Sequence, residues 1–459
     1  MNDIATYFRD HRDAHLEELV SFLRIPSIST DEQHKHDIEH AAEFVGDALR
    51  AAGLENVRRY ETGGHPLVYG EWLGAKGAPT VLIYGHYDVQ PPDPLELWIT
   101  PPFEPTVREG RIFARGAADD KGQVFIHVKA VEAFLKTRGS LPVNVKFIIE
   151  GEEEVGSTHL ADFVRKNRKL LSCDVILISD THMMGVKTPS ITYGLRGLTY
   201  LEVTVTAAKT DMHSGTFGGG VANPIQVLAE ILVGCKDPKT GKVRIPGFYD
   251  DVVPLSKKER AELAKIPHND REWAKSIGAV KPFGEKGYTT IERTGARPTF
   301  EVNGIWGGHT GPGVKTVLPA QAHAKVSMRL VANQDPSKIA KLFAQHVKKI
   351  APDTVRTEIK LYDNNGYPAL TPIDSPGMRA AADAIKMVYG KAPFFTREGG
   401  SIPVVADFQQ LLKVDAVLLG FGLPDDNLHA PNEKLDLIQF EKGLETVAAF
   451  FERYAEMSR

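Results

Sequence analysis

A chain of 459 residues exceeds what one ordinary hydrophobic core organises, and 42% hydrophobic with 25% charged residues excludes a long disordered or fibrous body. Lys plus Arg number 55 against 59 Asp plus Glu, so a net charge of −4 gives no electrostatic ground for nucleic acid or an anionic membrane as partner, and a small substrate is expected. Two cysteines, Cys173 and Cys235, exclude a disulfide framework or thiolate metal cluster; with no signal-peptide core and no apolar run of about 18 residues, a cytoplasmic protein without a membrane span is expected.

Residues 5–24 and 38–53 carry amphipathic helical patterns, the second closing at Gly53, the residue type favoured just past a helix end. Short β-rich apolar runs follow at 80–84, 143–149, 174–178 and 414–419. Their length suits strands buried on both faces of a mostly parallel central sheet flanked by helices, an α/β arrangement. A helix is predicted from Asp120-Lys121, with Val124, Val128, Val131 and Leu135 on one packing face.

Beyond residue 197 the pattern changes. Leu201, Val203 and Val205 alternate with polar residues, as in a half-exposed antiparallel strand. Asn223-Pro224 then opens a helix with Ile225, Leu228, Ile231 and Leu232 as its stripe. A strand at 323–330, a helix at 336–350 with Ile339, Leu342, Phe343 and Val347 inward, and an alternating segment at 354–362 complete an inserted α+β, ferredoxin-like domain. The expected division is 1–197 and 368–459 for a catalytic domain and 198–367 for the insert. The stretch 236–297, rich in Pro, Gly and charge, receives no place in it.

Chemistry-bearing residues cluster where the apolar runs end. His86 and Asp88 follow the first run, Glu152-Glu153-Glu154 the second and Asp180 the third, while His429 lies in the loop after the fourth. Asp119-Asp120 precedes the predicted helix. In parallel sheets ligands collect at the carboxyl ends of the strands, so these distant motifs converge on one edge. Taken singly each has a plainer explanation: Asp119-Asp120 as an N-cap, the glutamates as a solvated charge run, Asp180 and His429 as turn residues. Together they supply the imidazoles and carboxylates, one shared between two ions, and the free base that a two-metal hydrolase needs. His34, His36 and His40 imitate a zinc-binding helix, but no acidic base or strand end accompanies them, and they are taken as an exposed helix face.

In order, spacing and context, GHYDVQP, ARGAADDKG, EGEEEVGS, ISD and LHAPNEK resemble the di-zinc metallopeptidase family of carnosinases, cytosolic nonspecific dipeptidases, aminoacylases and succinyl-diaminopimelate desuccinylase. TDMHSGTFGG, GVKTVLP, VSMRLV and TREGGSIP are most similar to the carnosinase and nonspecific dipeptidase branch. The resemblance implies that Asp119 bridges two metals, that His86 and Asp180 complete one site and that Glu154 and His429 complete the other. It further implies Glu153 as general base, Asp88 as the support of His86, and a cis peptide bond after Asp119. The insert becomes a lid that mediates a homodimer, in which His213 reaches the partner subunit's site to stabilise the oxyanion. Thr316, Arg329, Gly400 and Ser401 hold the substrate's carboxylate or backbone.

The expected reaction is hydrolysis of a dipeptide's peptide bond by a metal-bound hydroxide, with two divalent ions per subunit, Zn²⁺ first and Mn²⁺ or Co²⁺ as alternatives. Deacylation or desuccinylation of N-acyl amino acids is the alternative with the same chemistry. A non-catalytic binding protein has no need of Glu153, and a two-metal phosphatase would call for more cations than the mixed charge provides.

Overall fold

The computed structural model describes residues 1–362, 365–400 and 402–458. The chain packs as two units, one formed by residues 1–193, 371–396 and 407–459, the other by residues 194–370 and 397–406.

The first unit is built on a mixed sheet in the order Glu55–Tyr60, Leu67–Trp72, Asn144–Glu150, Thr80–His86, Val175–Ile178, Ala416–Leu418 and Ser190–Leu195. Its four middle strands, from Asn144–Glu150 to Ala416–Leu418, are mutually parallel, and the outer ones pair antiparallel. The parallel registers set His86 opposite Glu150, Tyr84 opposite Ile178 and Leu418 opposite Ile178, so these strands end level. Every candidate motif described above except Asp119-Asp120 leaves the sheet from that edge.

Helix Lys121–Arg138 packs on strand Thr80–His86 and also against helices Lys35–Ala52 and Leu437–Met457. Its residues from Lys121 to Phe134 are all buried, so the single packing face predicted for it is wrong: helices as well as the sheet cover it. The expected 5–24 helix is two helices, Asn2–Asp10 and Arg12–Leu23, that meet at His11. Helix Lys35–Ala52 does close at Gly53, whose φ of 97° is left-handed.

The second unit is an antiparallel sheet in the order Thr299–Gly307, Gln321–Leu330, Gly197–Thr206 and Arg356–Leu361. Helices Pro224–Cys235 and Pro336–Ile350 bury Leu228, Ile231, Ile339, Phe343 and Val347 against Leu201, Val203, Val205, Ala324 and Val326. In chain order this is strand, helix, two strands, helix, strand with the first strand central, the ferredoxin-like arrangement. The Asn223 side chain accepts from the Ile225 amide and caps its helix as predicted. Within 236–297 lie three short helices, Lys257–Leu263, Asp270–Ser276 and Thr290–Gly295.

Residues 194–197 and 368–370, expected in the catalytic part, belong to the second unit, because Gly194 and Leu195 pair with Leu370 and Ala369. At the adjoining end of the first unit, the Thr371 amide donates to the Tyr193 carbonyl at 2.8 Å. Residues 397–406, also expected there, join the second unit too. Arg397 pairs with Glu259, and the Gly399 carbonyl accepts from Arg196.

Candidate metal centre

The level strand ends bring five ligand-type side chains into two groups. His86, Asp119 and Asp180 form one, and Asp119, Glu154 and His429 the other; within each, the ligand atoms lie within 4.8 Å of one another. Asp119 belongs to both. Its Oδ1 lies 3.1 Å from His86 Nε2, and its Oδ2 lies 2.9 Å from His429 Nε2. Glu154 Oε2 is 3.3 Å from the same His429 nitrogen. Imidazole and carboxylate donors without thiolate suit Zn²⁺, Mn²⁺ or Co²⁺, and separations under about 5 Å are those of atoms sharing an ion with bonds near 2 Å. The residues present therefore fit a pair of divalent cations.

Surrounding groups fix each ligand. His86 Nδ1 faces the Asp88 carbonyl oxygen at 3.0 Å, which can only accept, so this nitrogen carries the proton and Nε2 is left as the ligand atom. The Asp88 carboxylate lies 3.3 Å from that Nδ1 and accepts from the amides of Glu153 and Glu154 at 3.3 and 3.1 Å, joining the first ligand segment to the third. Asp120 makes no cap bond to its helix; its Oδ2 accepts from the His86 amide at 3.2 Å instead. The peptide bond between Asp119 and Asp120 is cis. The three adjacent glutamates take different partners: Glu152 pairs with His159 at 2.9 Å, Glu154 accepts from Gln90 Nε2 at 2.8 Å, and the Glu153 carboxylate has no hydrogen-bond partner among the described residues.

His429 stands on a loop whose backbone is left-handed at three non-glycine residues, Asn427, His429 and Asn432. Such φ values are uncommon outside glycine and persist where the surroundings over-determine them. Buried Asp426 accepts from Lys434 Nζ at 2.7 Å and closes the loop's base. Asn432 ties its far side to the chain opposite, accepting from the Ile99 amide and donating to the Leu97 carbonyl, both at 2.8 Å.

Electrostatics follow from crowding acids together. Burial raises the Asp180 carboxyl well above the carboxylate range, with Asp119 and Asp120 adding to the effect. Burial likewise pushes Glu153 up to about 7; His86 opposes this, and Glu154, Asp119 and Asp88 reinforce it. His429 is pushed up to about 10 by its contacts with Asp119 and then Glu154. Cationic charge is what this arrangement demands. Protons on the imidazoles meet the demand in part, and a divalent cation in each group would meet it with the imidazoles neutral and ligating.

Of the remaining site residues expected from sequence, His213, Thr316, Arg329 and Gly400 lie in the second unit. His213 is exposed, its Nδ1 accepting from the Gly215 amide at 3.0 Å, which leaves Nε2 outward. Thr316 is beside it, for the Ser214 amide donates to the Thr316 carbonyl and His213 pairs with Val317. Arg329, on strand Gln321–Leu330, neighbours Arg196, whose guanidinium burial and then Arg329 push down to about 10. Arg196 in turn donates to the Gly399 carbonyl, next to the exposed Gly400. Ser401 lies outside the described residues.

Gln90 and Glu433 were not singled out in the sequence, yet both touch the centre. Gln90 holds Glu154, and the fully buried Glu433 accepts from the amides of Gly116, Ala118 and Asp119. Burial pushes the Glu433 carboxyl up to about 7, with Arg115 opposing. The usable signal was position: each lies within the same short motif as a ligand. His34, His36 and His40 enter neither ligand group, and among the described residues there is no third group.

Residues 82–453 match peptidase family M20/M25/M40. The chain is 35% identical to the Cys-Gly metallodipeptidase of Schizosaccharomyces pombe over 97% of both chains. It is also 35% identical to the human Beta-Ala-His dipeptidase over 85% of this chain and 78% of that one. Among solved structures, the M20 family metallo-carboxypeptidase Sso-CP2 from Sulfolobus solfataricus superposes with a TM-score of 0.82 at 35% identity, covering 96% of this chain and 99% of the other. With this match across most of its length, the chain is a member of peptidase family M20/M25/M40, in the branch of the carnosinases and nonspecific dipeptidases.

Proposed function

We propose that this protein is a dipeptidase that hydrolyses the peptide bond with two divalent cations, Zn²⁺ in the first instance and Mn²⁺ or Co²⁺ as substitutes. One observation carries the proposal: Asp119 presents one carboxylate oxygen to each of two ligand groups, with Glu153 beside them and bound to neither. Bound cations would polarise the scissile carbonyl and acidify a water molecule. Glu153 takes the water's proton and delivers it to the leaving amine. Asp88 keeps Glu153 in place by accepting from its backbone, while His86, Asp180, Glu154 and His429 hold the ions.

The choice of dipeptides is supported by the two relatives named as Cys-Gly and Beta-Ala-His dipeptidases and by a set of cationic and polar groups in the second unit. Arg329, Thr316, Gly400 and Ser401 are assigned to the substrate's carboxylate and backbone, and His213 to the developing oxyanion. We assign the second unit as a lid through which two chains form a homodimer, His213 serving the partner subunit's centre. Its outer strand Thr299–Gly307 supports this: Ile305 is 51% exposed and Trp306 42%, on an edge with unpaired backbone groups. Two free thiols suit the cytoplasm.

The test is release of amino acids from dipeptides, tripeptides, longer peptides and N-acyl amino acids by metal-stripped protein with Zn²⁺ or Mn²⁺ restored. Metal-dependent cleavage confined to dipeptides is expected. Cleavage of longer peptides from the carboxyl end would move the protein toward the Sulfolobus relative, and cleavage of acyl substrates alone would make it a deacylase.

A further inference from the structure

Glu433 lies inside the molecule with no exposed surface, and its carboxylate is saturated by donors. Oε1 accepts from the amides of Ala118 and Asp119 at 2.9 and 3.1 Å. Oε2 accepts from the Gly116 amide at 2.9 Å and from Arg115 Nη1 at 2.7 Å. All four donors come from residues 115–119, the turn that ends at the shared ligand. Arg115, itself buried, carries the linkage on through its other terminal nitrogen, which donates to the Pro91 carbonyl at 3.1 Å. Glu433 thereby joins three ligand-bearing segments: the one with His86, the turn with Asp119, and its own, with His429 four residues earlier.

A backbone turn with three inward amides needs acceptors, and residues 115–119 are buried; an unmet buried amide costs about 1–3 kcal/mol. One carboxylate meets three such amides and sets the turn's shape at the same time. The amide of Asp119 is one of them, so Glu433 acts on the residue whose two oxygens must face two different ligand groups. Gly116 fits the same design. Its φ of 82° is left-handed, and a Cβ there would meet Val89 at 2.7 Å, so the turn has no room to relax sideways.

We propose that Glu433 is a positioning residue for the metal pair: it holds the 115–119 turn so that Asp119 can bridge, and without it the centre binds its cations weakly although the fold persists. This rests on the two-metal reading given above. The step is not one of proton transfer, and Glu433 touches neither substrate nor cation.

The test uses Glu433→Gln in the full-length chain, with Arg115→Met and Glu433→Asp beside it. Gln keeps the volume, but whichever way its amide turns, the NH₂ group faces two N–H donors. Amide exchange in the metal-free protein is measured first, and faster exchange at Gly116, Ala118 and Asp119 is expected in Glu433→Gln with the central strands still protected. Titration with Zn²⁺ or Mn²⁺ should then show affinity about 10- to 100-fold weaker than the parent, as for other groups that orient ligands. At saturating metal, kcat should remain reduced with KM little changed. Arg115→Met, which leaves the three amide bonds intact, should weaken metal binding less. Glu433→Gln that binds metal like the parent while only its thermal midpoint falls would overturn the proposal. Should Glu433→Gln fail to fold, Glu433→Asp decides: its shorter reach must weaken metal binding. A parent that takes up no metal would instead defeat the two-metal reading, and the exchange data alone would then show whether Glu433 holds the turn.

Discussion

Two glutamates three residues apart, Glu150 and Glu153, are both driven toward the protonated form by burial, with different consequences. Glu153 keeps its carboxylate free for proton traffic; Glu153→Gln should therefore retain the metal content of the parent while turnover falls by about 10²–10⁴. Metal analysis with steady-state rates checks it, and loss of metal would show Glu153 to be a ligand. Glu150 receives Tyr84 Oη at 2.6 Å and Ser157 Oγ at 2.8 Å, both on Oε1, so its proton resides on Oε2. Burial pushes it up to about 8, against the Tyr84 hydrogen bond. A folded-state value above the unfolded one means that its contribution to stability is full below about 4.5 and lost as the pH climbs to about 8. Glu150→Gln, neutral throughout, should gain stability relative to the parent across that window, measured by thermal unfolding of the two metal-stripped proteins. At this scale the candidate ligands His86, Glu154 and Asp180 were legible because each closely follows an apolar run, whereas Asp119 stood out as one of two adjacent acids ahead of a helix. Glu433 was not legible, because its partners lie more than 300 residues away and its place in the motif of His429 gave the local hint without showing what it would bind.

The loop carrying His429 shows how an element without regular structure is held. Lys434 donates to Asp426 at its base and to Asp436 on strand Lys434–Asp436, and Asp426 also accepts from the Leu423 amide at 2.6 Å. Lys434→Met removes the cation and leaves a buried carboxylate unpaired, at a cost of about 3–5 kcal/mol. The thermal midpoint of the metal-free protein should drop, and a cation assigned to Glu154 and His429 should be released at lower chelator concentration; unchanged chelator sensitivity would count against a link between this ion pair and the ligand. Regular elements were legible where periodicity ran long, as in helix Pro336–Ile350, whose bounds match its pattern. Strand Thr299–Gly307 escaped notice because its register slips between Val302 and Gly304 and, apart from the buried Phe300, its apolar residues Val302, Ile305 and Trp306 are exposed, so the alternation of a half-buried strand is absent.

For the whole molecule, the proposed dimer has a direct test. Ile305→Lys on the outer strand should give monomers in sedimentation with lower activity, and mixing a His213→Ala chain with an Asp119→Ala chain should restore part of the activity through one intact hybrid centre. Failure to complement in confirmed heterodimers would argue that each centre is complete within its own chain. Composition announced more than one core, and the change of pattern near residue 197 announced the insert. The assignment of residues 397–406 to the second unit was not legible, since it depends on partners such as Glu259 and Arg196 that no local pattern connects to that segment.

The place where the chain leaves and re-enters the first unit has one more consequence. Tyr193 and Thr371 are joined by a hydrogen bond, and the next residues outward zip together as Gly194 with Leu370 and Leu195 with Ala369. The free-energy cost of closing a loop depends on bringing its ends together and grows only slowly with the length between them. Here the ends are already fastened, so the catalytic sheet experiences everything from 194 to 370 as a short hairpin. However long the excursion between them, an insert anchored in this way adds little loop-closure cost to the folding of the first unit.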